Sequence, residues 1–279
     1  MNPAASWSRL RDGIFISDLH LLSSRSCGDE ALRRMQTYQD STQCIVLGGD
    51  TFDFKWSRAG DLAASIDAAL TWLSELLAQT GKCQVFYLLG NHDCLPEYFR
   101  ALESFSNERR RIHIVDHALQ LGDCLFLHGD LIDAGTESQL SNYRAKFHHR
   151  EPKPLFMHWL YDLVVQLRIP GPVSRLVRPT ARTCEVLNQG IDSLTQVDGY
   201  FEPSEIRKVF FGHTHVMANG HNIGARTYYN PGSGIKHMNF QPMTFSLRSG
   251  SSEPKANPSQ LDGSLSQESP QEALEGGQS

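Results

Sequence analysis

Cys44-Ile45-Val46-Leu47-Gly48-Gly49-Asp50-Thr51-Phe52-Asp53 runs from a short apolar stretch through a glycine pair into two carboxylates. A continuous apolar run bounded by glycines reads as a buried strand, and the polar residues after it then lie in a loop at the strand's carboxyl end. The same pattern returns along the chain. Gly13 to Ser17 leads into Asp18-Leu19-His20, and Gln84 to Leu89 into Gly90-Asn91-His92-Asp93. Cys124 to Leu127 leads into His128-Gly129-Asp130, and Lys208 to Phe211 into Gly212-His213-Thr214-His215. Together these strand ends deliver Asp, Asn and His to one edge of the fold.

Between the second and third segments, Asp61 to Thr80 carries Leu62, Ile66, Leu70, Leu73 and Leu77 near a 3.6-residue period. Asp61 suits the start and Gly81 the end of an amphipathic helix there. Strand, helix, strand with polar loops between them implies an α/β (α+β) layered sandwich. Thr227 to Asn230 and Met243 to Leu247 add later strands, and Asn230 to Gly234 is a tight turn whose backbone can line the pocket. Residues from Ile132 to about 197 break the strand pattern and read as an inserted helical cap. The main domain is therefore expected to span 1–248. The tail at 249–279, rich in Ser, Gln, Glu, Gly and Pro with no aromatic residue, is expected to be disordered.

A length of 279 residues with 40% hydrophobic content suits one sizeable core. The formal net charge of -5 gives no reason to expect nucleic acid as a partner. Six scattered cysteines without paired spacing read as buried free thiols. No apolar stretch precedes the first strand and no run approaches a membrane span, so a cytoplasmic protein is expected.

Asp18 and His20 are two residues apart, so in an extended loop both side chains can point one way and form half of a metal site. Asp50, after its glycine pair, can bridge two cations through its two oxygens, as a pair about 3.5–4 Å apart requires. Asn91, His128 and His213 complete the second site, and His215 returns to the first. Mixed oxygen and nitrogen donors without thiolate suit two divalent ions, Mn²⁺ first, with Fe or Zn²⁺ as alternatives. Taken singly, each of these residues is also an ordinary turn, cap or buried histidine. For Asp53 and Asp130 the expected role is a turn or supporting hydrogen bond. His148, His149, His158, His221 and His237 are expected away from the metals.

The ordered blocks Asp-x-His, Gly-Asp-x-x-Asp, Gly-Asn-His-Asp, His-Gly-Asp and Gly-His-Thr-His resemble the calcineurin-like metallophosphoesterases over residues 13 to about 247. That resemblance implies a four-layer α/β/β/α sandwich. It makes Asp18, His20, Asp50 and His215 ligands of one metal and Asp50, Asn91, His128 and His213 ligands of the other. It also implies hydrolysis by metal-hydroxide attack on phosphorus. His92 takes the place of the family's histidine that steadies phosphate oxygens or protonates the leaving group, with Asp93 expected to orient it.

The cap carries the evidence on substrate. Between Asp133 and Arg182, Arg144, Lys146, Arg150, Lys153, Arg168, Arg175, Arg178 and Arg182 stand against Asp133, Glu137, Glu151 and Asp162 in composition, which suits an anionic substrate or equally a solvated face. Arg144, Lys146 and Arg150 are the expected substrate contacts. The apolar stretch Leu155 to Leu167 reads as a packed helix or a lipid site. Its place after His-Gly-Asp and its Tyr143-Arg144-Ala145-Lys146-Phe147 opening are similar to the UDP-2,3-diacylglucosamine pyrophosphatases of lipid A synthesis. That similarity implies acyl chains on the cap, cleavage to a lipid monophosphate and UMP, and peripheral contact with the inner membrane through the cap. Those enzymes usually carry arginine where this chain has His92. A soluble phosphodiesterase or phosphatase, and a non-enzymatic interaction protein on the same scaffold, are the alternative readings.

Overall fold

Along β1 (Asp12–Ile16), Ile14 and Ile16 face one hydrophobic layer and Phe15 faces another. The same split holds in β2 (Cys44–Gly48), with Ile45 and Leu47 opposite Val46, and in β3 (Gln84–Leu88), with Val85 and Tyr87 opposite Phe86 and Leu88. Strands covered on both faces need apolar residues at every position, and this produces the unbroken runs in the sequence. The computed structural model describes residues 10–28, 30, 33, 42–148, 153–198, 204–247 and 255–256.

The first sheet runs β10 (Met243–Ser246), β1, β2, β3, β4 (Ile112–Val115); β1 to β4 are parallel and β10 is antiparallel to β1. Its outer face is covered by α1 (Leu62–Gln79) through Ala69, Leu73, Leu76 and Leu77, and by α2 (Pro96–Glu108) through Tyr98, Phe99, Leu102 and Phe105. Asp61 caps α1 by accepting from the Ala64 amide at 2.9 Å, and Gly81 beyond the helix has φ 57°. The helix thus stops where its sequence signals place the stop.

The second sheet has the order β11 (Lys255–Ala256), β5 (Ala118–Leu121), β6 (Cys124–Leu127), β7 (Lys208–Phe210), β9 (Arg226–Asn230), β8 (Ala218–Ile223). Here β6, β7 and β9 run parallel, whereas β5 and β8 are antiparallel to their neighbours. Phe126 and Phe210 stack at 5.1 Å in the layer between the sheets, where Phe15 and Phe245 meet them. On the far side, Leu125, Leu127, Val209, Phe211 and Tyr228 pack against Cys184, Leu187 and Ile191 of α7 (Thr180–Asp198). Four layers result, α/β/β/α, as expected.

The segment read as a cap is helical: α3 (Leu131–Ala134), α4 (Glu137–Ala145), α5 (Leu155–Gln166), α6 (Pro170–Val177) and then α7. Its last helix departs from the expectation. The apolar face of α7 closes the outside of the second sheet, so α7 is a layer of the sandwich and the cap proper ends with α6. Of the tail, Lys255 and Ala256 pair with Gln120 and Leu119 of β5, and the rest lies outside the described residues.

Candidate dinuclear metal centre

The carboxyl ends of β1, β2 and β3 in one sheet and of β6 and β7 in the other converge on one edge, the usual ligand site of parallel strands. The loops there are tied to one another through backbone bonds. Asp18 N donates to Gly49 O at 3.1 Å, His20 N to Asp50 O at 3.0 Å and Gly212 N to His128 O at 2.8 Å. The turn after β9 supports the first loop, with Gly234 N and Ser233 Oγ donating to Asp18 O at 2.9 and 3.1 Å. A Cβ on Gly90 would overlap Asp50, and one on Gly212 would overlap Ser17 and Asp18, so these two glycines permit the close approach.

Four groups come together as one candidate site: Asp18, His20, Asp50 and His215. His20 Nε2 and His215 Nε2 are 2.9 Å apart, and His215 Nε2 is 3.3 Å from Asp18 Oδ1. A second set, Asp50, His128 and His213, shares Asp50 with the first. Asn91 Oδ1 joins it, 3.3 Å from His128 Nε2 and 3.0 Å from His213 Nδ1. The donors expected from the sequence are thus brought together as two adjoining sets with one common carboxylate. His128 Nδ1 donates to Gly48 O at 3.0 Å, which leaves Nε2 as the ligating nitrogen.

Asp18 and Asp50 are buried, and burial alone would raise their pKa values. The nearby histidines outweigh it: His215 pulls Asp18 down, and His128 then His92 pull Asp50 well below the usual carboxylate range. His128 responds in kind; despite its burial, Asp50 and then Asp130 push it up to about 10. Ionised carboxylates set against imidazoles in a largely buried site form a donor set that fits divalent cations.

Supporting groups differ from the expectation in two places. The carboxylate facing His92 is Asp53, with Oδ1 3.2 Å from His92 Nδ1 and Oδ2 3.6 Å from His20 Nδ1. Burial would raise Asp53, but His92 and His20 hold it far below the usual range. Asp93 does not orient His92. It turns inward, accepting from Thr51 N at 2.8 Å, Gly90 N at 2.7 Å and Tyr87 Oη at 2.7 Å, and so joins the loops after β2 and β3.

Arg144 is likewise no substrate contact. It is 4% exposed, with Nε and Nη2 on Asp130 at 2.7 and 3.2 Å, Nη2 on Leu89 O and Nη1 on Asp116 O. Asp130 holds the guanidinium charged against the cost of burial, and the pair anchors α4 to the core. Lys146 is exposed, 5.9 Å from the Tyr143 ring, and Arg150 and His149 lie outside the described residues. Tyr143 and Phe147 stand 6.5 Å from the rings of His213 and His92, so the cap borders the centre. Asp133, counted in the sequence only among the cap's acidic residues, stands beside the site with its Oδ2 2.9 Å from His213 Nε2.

A four-layer sandwich with two joined carboxylate and imidazole sets at its strand ends defines a metal-dependent hydrolase. Residues 14–217 match the family model of the calcineurin-like phosphoesterases, and the chain belongs to that family. No curated protein matches the sequence. The family assignment makes the protein a phosphoesterase, and phosphate esters its substrate class.

Proposed function

We propose that the chain hydrolyses the diphosphate of an amphiphilic substrate, UDP-2,3-diacylglucosamine or a related lipid-linked or nucleotide diphosphate. Asp18, His20, Asp50 and His215 would hold one cation, and Asp50, Asn91, His128 and His213 the other, with Mn²⁺ as the first expectation. The cations, when bound, supply charge to polarise phosphoryl oxygens and lower the pKa of water.

The observation that carries this reading is the outer face of the cap. Phe156, Trp159, Leu160 and Leu163 of α5, with Leu167 beyond it, fall on one helical face, and all are exposed. Val173, Leu176 and Val177 of α6 are exposed as well, Leu176 at 82%. An apolar helix face exposed in this way on a folded protein marks an interaction site. The other face of α5 is docked: Asp162 accepts from Arg58 at 2.7 Å and Arg25 at 3.3 Å, while Tyr161 stacks on Trp56. The apolar face is open among the described residues, and acyl chains suit it. Arg168, Arg175 and Arg182 of the same segment are exposed, and their guanidinium groups suit a diphosphate.

One observation favours a soluble phosphodiester or phosphomonoester instead. A diphosphate expels a stable phosphate anion, whereas an ester expels an alkoxide that needs a proton. His92 backed by Asp53 is built to carry that proton on Nε2. Phosphorus NMR of the Mn²⁺-loaded protein with UDP-diacylglucosamine, a simple phosphodiester and a metal-stripped control separates the two readings. UMP release supports the diphosphate; turnover of the diester with the lipid intact overturns it.

A further inference from the structure

We infer that Asp133 is a positioning residue that holds His213 in the tautomer needed for cation binding, and that Arg178 and Tyr143 make this hold depend on the seated cap. The inference rests on the dinuclear reading of the site and is independent of the substrate.

The two histidines of the second cluster present different nitrogens. His128 turns Nε2 toward Asp50 and Asn91 and gives Nδ1 to the Gly48 carbonyl. His213 turns Nδ1 toward Asn91 Oδ1 at 3.0 Å and gives Nε2 to Asp133 Oδ2 at 2.9 Å. A neutral imidazole carries one N–H, so ligation through Nδ1 requires the proton on Nε2. An acceptor at Nε2 enforces that state and makes Nδ1 a stronger donor to the cation.

The two acceptors differ in kind. Gly48 O belongs to β2 in the buried sheet, so the group that orients His128 is fixed by the sandwich and not by the cap. Asp133 sits on the one-turn helix α3, with 29% of its side chain exposed, and the cap's own groups complete its surroundings. Arg178 Nη2, at the end of α6, meets the same Oδ2 at 2.5 Å, and Tyr143 Oη of α4 donates to it at 3.1 Å. Arg178 Nη1 also donates to the backbone carbonyl of His213 at 3.2 Å. Two cap helices thus converge on the carboxylate that orients a metal ligand and on that ligand's own backbone. Displacing α6 would remove the cation beside Asp133 and one bond to His213 together.

The test is a Zn²⁺ titration of the full chain by calorimetry, with long-range ¹H–¹⁵N NMR of His213, for wild type, Asp133→Ala, Asp133→Asn and Arg178→Ala. Outer carboxylates of this kind are worth about 10–100-fold in metal affinity, so Asp133→Ala should weaken one of the two sites by that factor and leave the other unchanged. Its His213 should show mixed tautomers. The amide oxygen of Asp133→Asn still accepts from Nε2, so that variant should keep the tautomer and lose less affinity. Arg178→Ala should show a smaller loss of the same sign at the same site. Thermal melts of the metal-free proteins control for folding, and the Asn and Arg178 variants decide the matter if Asp133→Ala does not fold. Unchanged affinity and an unchanged tautomer in all three variants would overturn the role of Asp133. A wild-type chain that takes up fewer than two Zn²⁺ ions would overturn the dinuclear reading itself.

Discussion

At the scale of the residue, the centre is built on uncommon backbone. Asp18, His20, Asp50, His213 and His215 have φ between 48° and 67°, a region L side chains seldom occupy, at a cost of about 1–3 kcal/mol each. Nothing in the identity of an Asp or His announces this strain. The order of residue types along the loops nonetheless named the groups that come together as candidate ligands, although the loop expected to be extended at Asp18 and His20 is left-handed at both. Pairings across the chain were less legible: Asp93 is beside His92 in sequence but points into the core, while Asp53 reaches it from another loop. Asp50→Ala or His128→Ala should abolish turnover and lower the metal content measured by elemental analysis; full activity in the Asp50 variant would contradict the shared bridge. On an ester substrate, whose leaving alkoxide needs a proton, His92→Ala should cost rate by about 10²–10⁴-fold as loss of a general acid, and Asp53→Asn a large part of the same factor. Asp93→Asn should act on folding instead, lowering stability by about 1–3 kcal/mol as its buried donors lose their carboxylate. Steady-state kinetics and denaturant melts on the three variants separate these roles. An Asp93 variant with native stability and the kinetic defect of His92→Ala would restore Asp93 as the orienting group.

At the scale of the element, periodicity reveals that a helix has an apolar face but not what the face meets. The pattern of α1 pointed to its packed side, with Leu73 and Leu77 buried and Leu62, Ile66 and Leu70 partly buried at its edge, and Leu73 is fully covered by the first sheet. Leu73→Ala should therefore destabilise the fold by about 2–5 kcal/mol, read from chemical denaturation. In α5 the apolar side chains are as dense, yet the contacts go the other way: the polar and aromatic groups Asp162, Tyr161 and His158 dock it, and the leucines face out. In α7 the reverse held, and a helix taken for cap covers a sheet. Each outcome turns on contacts distant in sequence, such as Arg58 with Asp162, that no local window contains. Trp159→Glu with Leu163→Glu should leave stability near wild type, because both side chains are exposed. The pair should raise KM for an acylated substrate while sparing a small phosphodiester. Equal effects on both substrates would remove the apolar face from recognition.

At the scale of the whole molecule, the candidate sites join the two sheets: β1, β2 and β3 contribute from one, and the loops after β6 and β7 from the other. A cation bound there adds stability to the closed sandwich alone, about 2.7 kcal/mol per site at a free concentration of 100 times Kd. The buried cysteines provide a readout. Cys94 lies in the layer beneath the first sheet's helices, Cys44 and Cys124 lie between the sheets, and Cys184 lies on the buried face of α7, while Cys27 is half-exposed. Burial pushes Cys44, Cys94 and Cys184 up to about 12. Their thiols stay protonated in the fold, while the unfolded chain ionises from about pH 8.5. Below that pH the thiols leave stability untouched; as pH rises from there toward about 12, the unfolded state releases protons the folded state retains, and stability falls. At pH 8 a disulfide reagent such as DTNB should therefore label Cys27 quickly and the buried thiols only as fast as the layers open. Mn²⁺ should slow the buried class by binding across the sheets, and a chelator should restore it. Labelling of Cys44 and Cys124 at rates indifferent to metal would show that the cations do not join the two halves.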